Sequence, residues 1–279
     1  MPHSPVLKWA GGKRWLLPTI EPIYRQHQGR RLVEPFCGGM AISLGISPPE
    51  VLANDSNEHL INFYRWLQKG LQIYLRMKSD KELYYSHRSW FNKLVRDGDR
   101  DTSVAAQLFY YLNQSGFNGL CRFNQSGEFN VPFGGRKNIV YRTAFKEYKD
   151  AFLNWQFHCV DFEQVPIRDD DFVYADPPYD GTFKEYSTGK FDWEDQIRLA
   201  VWLTKHSGPV LLSNAATPRI LELYRSLGYE IQLLDGPRRI NPNGDRTPAP
   251  EVLASRGLMV FGRSDKKRRH TYTRGAGKG

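Results

Sequence analysis

Arg31-Leu-Val-Glu-Pro-Phe-Cys-Gly-Gly39 runs from a short apolar segment straight into a glycine pair, and an apolar stretch able to start a helix follows it. An apolar run too short for a helix and closed by glycines reads as strand, turn, helix. The pattern recurs. Val51-Leu-Ala-Asn-Asp55 ends on an acid, and residues 60–74 then place Leu60, Phe63, Tyr64, Leu67 and Leu71 on one helical face. Further on, Phe172-Val-Tyr-Ala-Asp176 reads as a strand, 194–206 as a helix, 209–214 as a strand and 218–227 as a helix. Alternation of this kind predicts a mostly parallel α/β sheet covered by helices.

The alternation is interrupted over 88–148, where Arg, Lys, Asn, Gly and aromatic residues replace β-branched runs. Residues 104–112 read as a buried helix, and Arg122-Phe-Asn-Gln-Ser-Gly-Glu-Phe-Asn-Val131 as a hairpin turning at Gln125-Ser-Gly127. The expected division is a catalytic unit over 1–57 and 146–263, an inserted, mainly helical unit carrying the hairpin over 58–145, and a disordered basic tail over 264–279.

Composition limits the function classes. A chain of 279 residues, 40% of them hydrophobic, holds one sizeable core and a smaller module. A formal charge of +9 favours an anionic partner, because a basic surface concentrates polyanions around itself. Charge alone fits nucleic acid and an anionic membrane equally. No apolar run approaches the roughly 20 residues that span a bilayer, and the first eight residues lack a secretory pattern. The expectation is a cytoplasmic protein without a membrane partner, monomeric in solution. Cys37, Cys121 and Cys159 are odd in number, far apart and form no CxxC pair, so neither a disulfide framework nor a metal site is expected.

The chemistry centres on Asp176-Pro-Pro-Tyr179 at the end of an apolar strand. Pro177 and Pro178 fix the backbone, so that the preceding carbonyls and the Asp176 side chain converge. An exocyclic adenine amine is a poor nucleophile, since its lone pair is delocalised into the ring. Two acceptors directed at its hydrogens, the Asp176 carboxylate and the Pro177 carbonyl, help it rehybridise and stabilise the positive charge that develops on nitrogen. The Tyr179 ring would stack on a base extracted from the duplex. Read blandly, the same residues are a proline loop in which Asp176 caps a turn.

Two further segments point to a nucleotide-like cofactor. The glycine turn lets backbone approach a ligand at the carboxyl edge of the sheet, which makes Glu34, Phe36 and Gly38 candidate contacts. Asp55 ends the next strand about 20 residues on, where such folds place an acid for ribose hydroxyls. Without Asp176, a turn and an ordinary helix-start acid explain these residues as well. Leu7-Lys-Trp-Ala-Gly-Gly-Lys13 is not a phosphate loop, because Leu7 stands where the first glycine belongs and Arg14 where Ser or Thr does. Lys13 suits the cofactor's carboxylate instead, and Trp9 is a candidate to cover the cofactor. Cys37 lies in the glycine turn and the chain has no Pro-Cys dipeptide, so a cysteine nucleophile of the kind used on cytosine carbon is not expected.

Leu7-Lys-Trp-Ala-Gly-Gly-Lys13, Glu34-Pro-Phe36, Asp55 and Asp176-Pro-Pro-Tyr179, in this order, resemble the Dam-type (D12 class) family of DNA adenine-N6 methyltransferases. Phe117-Asn-Gly-Leu-Cys-Arg-Phe-Asn124 and Gly127-Glu-Phe-Asn-Val-Pro-Phe-Gly134 resemble that family's recognition hairpin, and the likeness runs over 7–261. Two departures are Met40, where the family often carries a further glycine, and the basic tail. The resemblance implies a seven-stranded Rossmann-like methyltransferase sheet with one antiparallel strand. It also implies S-adenosyl-L-methionine held by Trp9, Lys13, Asp55 and Asp176, with Asp161 and Phe162 beside its adenine. It implies GATC in double-stranded DNA as target, with Arg122 reading a guanine. Phe117 would wedge into the base stack, Asn118 would bond the orphaned base, and Leu120 and Pro132 would touch thymine methyls. Lys8, Arg88, Arg136 and Lys137 are candidates for phosphate contacts, or else solvated surface charges. The competing readings are methylation of cytosine N4 or of an RNA or protein amide, and a catalytically inactive DNA-binding module.

Overall fold

In the computed structural model, which describes residues 2–181, 191–237 and 249–258, the apolar runs pair into one sheet. Among the described residues its strands are β1 (Leu32–Glu34), β2 (Val51–Asn54), β3 (Trp155–His158), β4 (Phe172–Ala175), β5 (Val210–Ala215), β6 (Glu230–Gly236) and β7 (Ala249–Arg256). Their order is β3-β2-β1-β4-β5-β7-β6. The strands from β1 to β5 pair in parallel, and β7 runs antiparallel between β5 and β6. The single reversed strand agrees with the expectation. Winding changes direction between β1 and β4, and at such a switch point diverging connections leave a crevice beyond the carboxyl ends of the strands. Glu34-Pro-Phe36 leaves β1 and Asp176-Pro-Pro-Tyr179 leaves β4 on that edge, side by side.

Strand side chains alternate between the two faces, and each face has its own core. Leu32, Val51, Ala53, Phe172, Tyr174, Leu211 and Leu253 share one cluster with α1 (Leu17–Arg25), α2 (Ala41–Ile46), α3 (Glu58–Lys69), α4 (Lys81–Asp97), α5 (Ser103–Ser115) and α6 (Lys146–Ala151). Val33, Leu52, Val173, Ala175, Val210, Leu212, Val252 and Ala254 lie beneath α7 (Trp193–Thr204) and α8 (Pro218–Ser226). Each fully buried Leu, Val or Phe contributes about 1.5–3 kcal/mol of transfer free energy. Of the helices between β2 and β3, α5 packs on α3 and α4 packs on α5, and their buried side chains continue the cluster of that sheet face.

The helix starts follow local chemistry. Asn57 accepts the His59 and Leu60 amides at the head of α3, Asp192 and Asp195 form a capping box on α7, and Thr217 with Pro218 opens α8. The helix expected over 60–74 stops at Lys69. Gly70 turns left-handed at φ 87°, after which the Ile73 amide donates to the Thr143 carbonyl at 2.9 Å. The hairpin expected at 122–131 forms, held by a Phe123–Phe129 bridge and by the Asn130 amide on the Arg122 carbonyl at 3.1 Å. No helix among the described residues is long and apolar enough to cross a membrane, and no group of three or more His, Cys, Asp or Glu among them could hold a metal ion. The basic tail, 264–279, lies outside the described residues.

Candidate active site

Asp176 follows the last residue of β4, and its carboxylate meets Ser213, Lys13 and the Tyr179 hydroxyl. The Ser213 hydroxyl, from adjacent β5, donates to Oδ1 at 2.7 Å. The Lys13 ammonium lies 3.4 Å from the same oxygen, donates to the Gly11 carbonyl at 2.8 Å and sits 4.2 Å from the centroid of the Tyr179 ring. Lys13 is only 6% exposed, and a charge that far from water needs such partners. Burial pushes the Asp176 carboxyl above its ordinary range, while Lys13 and the Ser213 bond pull it back. The Tyr179 hydroxyl donates to Glu251 Oε2, on β7, at 2.6 Å.

The loop after Asp176 is held from beneath by a buried polar network. Gln196 Nε2 donates to the Pro178 carbonyl at 2.8 Å, and Asn214 Nδ2 donates to Gln196 Oε1 at 2.8 Å. Asn214 Oδ1 accepts the Asp180 amide at 3.0 Å. The Arg219 guanidinium and the Thr217 hydroxyl hold the Asp180 carboxylate, and the Arg219 hydrogen bond keeps that carboxyl below its usual range. Asn214 has no exposed surface, and its amide also donates to the Tyr224 hydroxyl on α8 at 3.1 Å. Pro177 is buried and Pro178 exposed.

Across the crevice the glycine turn is pressed against Trp9. A Cβ on Gly38 would fall 2.6 Å from Trp9 Nε1, and one on Gly39 2.9 Å from Trp9 Cβ, so the indole covers bare backbone. Gly38 has φ 43° and Met40 φ 51°. Met40 thus adopts the left-handed conformation itself, and the loop turns tightly despite the missing glycine. Gly38 N–H donates to Asp55 Oδ2 at 3.0 Å and Asn57 N–H to Asp55 Oδ1 at 2.9 Å. Tyr64 donates to the Gly38 carbonyl at 2.7 Å. Glu34 is buried in the wall behind the turn, where its carboxylate accepts from the Ser43 amide at 2.8 Å and from the Ser43 hydroxyl. Burial pushes its carboxyl up to about 7.

Phe36 packs on Phe162, with ring centroids 5.5 Å apart. The Arg198 guanidinium covers Phe162 at 4.4 Å and bonds Asp161 Oδ2 at 2.7 Å. Trp9, Lys13, Gly38, Asp55, Asp176 and Tyr179 therefore belong to the crevice, whereas Glu34 is turned into its wall and Asp161 is exposed on its rim. Burial pushes the Cys37 thiol well up, as expected of a packing residue rather than a nucleophile.

The insert's candidates gather on the hairpin and the loop beside it. Phe117 is 48% exposed, and its amide donates to the Pro132 carbonyl at 2.9 Å. Asn118 is exposed with φ 53°, Pro132 is exposed and Leu120 half-buried. Arg122 Nε donates to Asn130 Oδ1 at 2.8 Å across the hairpin, which fixes the guanidinium plane. Arg88 donates to the Val131 carbonyl at 3.1 Å and lies on Tyr85. Lys8 spends one donor on the Gln114 carbonyl at 2.6 Å, while Arg136 and Lys137 are exposed. Buried Asn113 joins Lys8 to the Gly119 carbonyl, tying the Trp9 segment to the Phe117 loop. Ser213, Asn214, Gln196, Glu251, Asn113 and Asn130 escaped the sequence reading. A signal existed only for Ser213-Asn214, a polar pair ending an apolar strand.

Comparison with known proteins bears on this geometry. The family model described as D12 class N6 adenine-specific DNA methyltransferase matches residues 9–238. The retron Ec67 DNA adenine methylase of Escherichia coli is 32% identical, covering 92% of this chain and 93% of that protein. The DNA adenine methylase of Escherichia coli strain K12 is 34% identical, covering 89% and 93%. The Type II methyltransferase M.MjaIII of Methanocaldococcus jannaschii is 33% identical, covering 88% and 96%.

Proposed function

Because the chain belongs to the D12 class of N6 adenine-specific DNA methyltransferases, we propose that it methylates adenine N6 within GATC in double-stranded DNA, using S-adenosyl-L-methionine and turning the adenine out of the duplex. The observation that carries this reading is the Lys13 ammonium, an N–H donor held 3.4 Å from an Asp176 oxygen and 4.2 Å from the Tyr179 centroid. A spot between a carboxylate and an aromatic face that already accepts one N–H donor suits an adenine amine. In the productive complex the amine takes that spot, stacked on Tyr179, and Asp176 with the Pro177 carbonyl accepts its two hydrogens. The nitrogen lone pair is then freed from the ring, and the carboxylate stabilises the charge that grows on nitrogen. Turning the base out costs a few kcal/mol of stacking and pairing, repaid in the pocket.

The residues across the crevice fit S-adenosyl-L-methionine. Each Asp55 oxygen accepts one backbone amide, and a carboxylate oxygen so held retains a lone pair for a ribose hydroxyl. When bound, the cofactor supplies an electrophilic methyl on a sulfonium. Trp9 and Gly38 line its path, Lys13 pairs with its carboxylate once released from Asp176, and Phe36, Asp161 and Phe162 flank its adenine. Glu34 acts from behind, fixing α2 through Ser43.

Within the target-recognition unit, 58–145, Arg122 reads a guanine. Phe117 wedges where the adenine leaves, Asn118 bonds the orphaned base, and Leu120 and Pro132 meet thymine methyls. Lys8, Arg88, Arg136 and Lys137 meet phosphates. The protein acts as a cytoplasmic monomer. The test is to incubate it with tritiated cofactor and a panel of duplexes. Label in N6-methyladenine of GATC duplexes is expected, and label in cytosine, or equal label in duplexes with a substituted site, overturns the reading.

A further inference from the structure

The geometry points to Glu251 as a positioning residue for the target base: by accepting the Tyr179 hydroxyl it sets the plane of the ring that stacks on the everted adenine. This rests on the stacking role given to Tyr179 above and extends it to a residue on a different strand, 72 positions away.

Three observations carry it. The hydroxyl-to-carboxylate distance is 2.6 Å, a short, charge-assisted bond. Glu251 stands on β7 between two strands, opposite Ala215 of β5 and Leu234 of β6, so its backbone is held on both sides. Its carboxylate also lies over bare backbone, because a Cβ on Gly236 would fall 2.3 Å from Glu251 Oε1 and 2.6 Å from Cδ. Any side chain at 236 would push the carboxylate off its seat.

The physical need for such a bond is plain. The torsion that turns a tyrosine ring is broad and two-fold, so contact with Lys13 on the ring face does not by itself fix the plane. The hydroxyl oxygen lies on the axis of that torsion, so a bond there acts through the O–H itself, which conjugation keeps in the ring plane; the Glu251 acceptor favours the ring orientation whose plane contains it. Stacking strength depends on that plane, and a base held askew presents its amine away from Asp176.

The experiment uses the full chain with a GATC duplex carrying 2-aminopurine at the target position, alongside turnover on the unmodified duplex. Glu251→Ala is expected to lower kcat about tenfold, the rate equivalent of losing one hydrogen bond to a charged group. KM for DNA and Kd for the cofactor should stay within about threefold, because neither phosphate nor cofactor contacts are touched. The everted 2-aminopurine, released from its stacked ring, should emit more brightly than in the wild-type complex. Glu251→Gln keeps an acceptor and should recover turnover to within about threefold of wild type. Gly236→Ala, which moves the carboxylate without removing it, should resemble Glu251→Ala. On a Tyr179→Phe background, Glu251→Ala should add less than about a twofold loss, since the shared bond is already gone.

Unchanged turnover and emission in Glu251→Ala overturn the proposal. So does a loss that Glu251→Gln fails to rescue, or one of equal size on the Tyr179→Phe background, since either assigns Glu251 a role other than holding the hydroxyl. If the wild-type chain puts no methyl on DNA in the same assay, the function reading itself fails. Normal wild-type transfer beside an indifferent Glu251→Ala refutes the positioning role alone.

Discussion

Asp176→Asn is the substitution with the sharpest expected outcome, because it preserves shape and removes the charge. In the wild type Oδ1 receives the Ser213 hydroxyl at 2.7 Å and faces the Lys13 ammonium at 3.4 Å. An asparagine that keeps its oxygen on Ser213 keeps that oxygen facing the Lys13 position as well, but it puts an NH2 where Oδ2 stood and removes the negative charge opposite the growing positive charge. Removing one pre-aimed group of this kind costs about 10²–10³ in rate, or about 2.7–4 kcal/mol. A neutral acceptor is retained while the charge is lost, which places Asp176→Asn at the lower end of that range. Cofactor Kd, by calorimetry, should change less than about threefold, because the transition state and not the ground state is affected. The assay is single-turnover transfer of tritium to a GATC duplex at saturating cofactor. Transfer by Asp176→Asn within about tenfold of wild type, with label at adenine N6, would refute the reasoning.

Other expectations follow from the same geometry. Glu34 is raised from 4.5 to about 7 in the fold, so its contribution to stability is complete below the unfolded value and is lost as pH rises toward the folded one, a change of about 3 kcal/mol. Glu34→Gln should therefore flatten the decline in Tm between pH 4.5 and 8, and identical Tm profiles for the two proteins would contradict this. Asp176 is also raised by burial, so the acid limb of kcat/KM should sit above the ordinary aspartate value of 3.8, and a limb at or below it counts against a buried catalytic carboxylate. Arg122→Ala should cost about 1–3 kcal/mol of discrimination at one guanine. Asn130→Ala should relax the same base pair less strongly, and an unchanged preference across substituted duplexes would oppose both. Gly38→Ala places a methyl 2.6 Å from Trp9 Nε1 at φ 43°; cofactor affinity should fall, and an unaltered Kd by calorimetry would show that Trp9 does not cover the cofactor.

The parallel half of the sheet was legible because Leu32, Val51, Phe172 and Val210 open apolar runs buried on both faces, and such runs stand out from their glycine and proline borders. The strands β3, β6 and β7 were not. Trp155–His158 alternates buried and exposed positions at one edge of the sheet, and Glu230–Gly236 forms the other edge with one buried position, at Gly236. Helix α4 was hidden because its buried face is Tyr84, His87, Phe91 and Val95 among charged neighbours. Within the site, the residues that carry a motif were readable and those that support them were not. Asp176 and Tyr179 announce themselves through two prolines, whereas Gln196, Asn214 and Glu251 reach the same loop from α7, β5 and β7, and no local pattern encodes that convergence. Glu34 shows the opposite limit, since its place in the motif was plain while its orientation toward Ser43 depended on the helix it caps. The choice among acceptor amines lay beyond residue chemistry alone, because the same acceptor pair serves cytosine N4. Family membership decides for adenine N6 and for an enzyme.

The most direct test of the central claim is a crystal structure of the protein with a GATC duplex and a non-reactive cofactor analogue. The account predicts the target adenine outside the helix, its ring parallel to Tyr179, and its N6 within about 2.7–3.2 Å of both an Asp176 carboxylate oxygen and the Pro177 carbonyl. An adenine still paired in the duplex, or an N6 turned away from Asp176 while Lys13 keeps its place against the carboxylate, would contradict it.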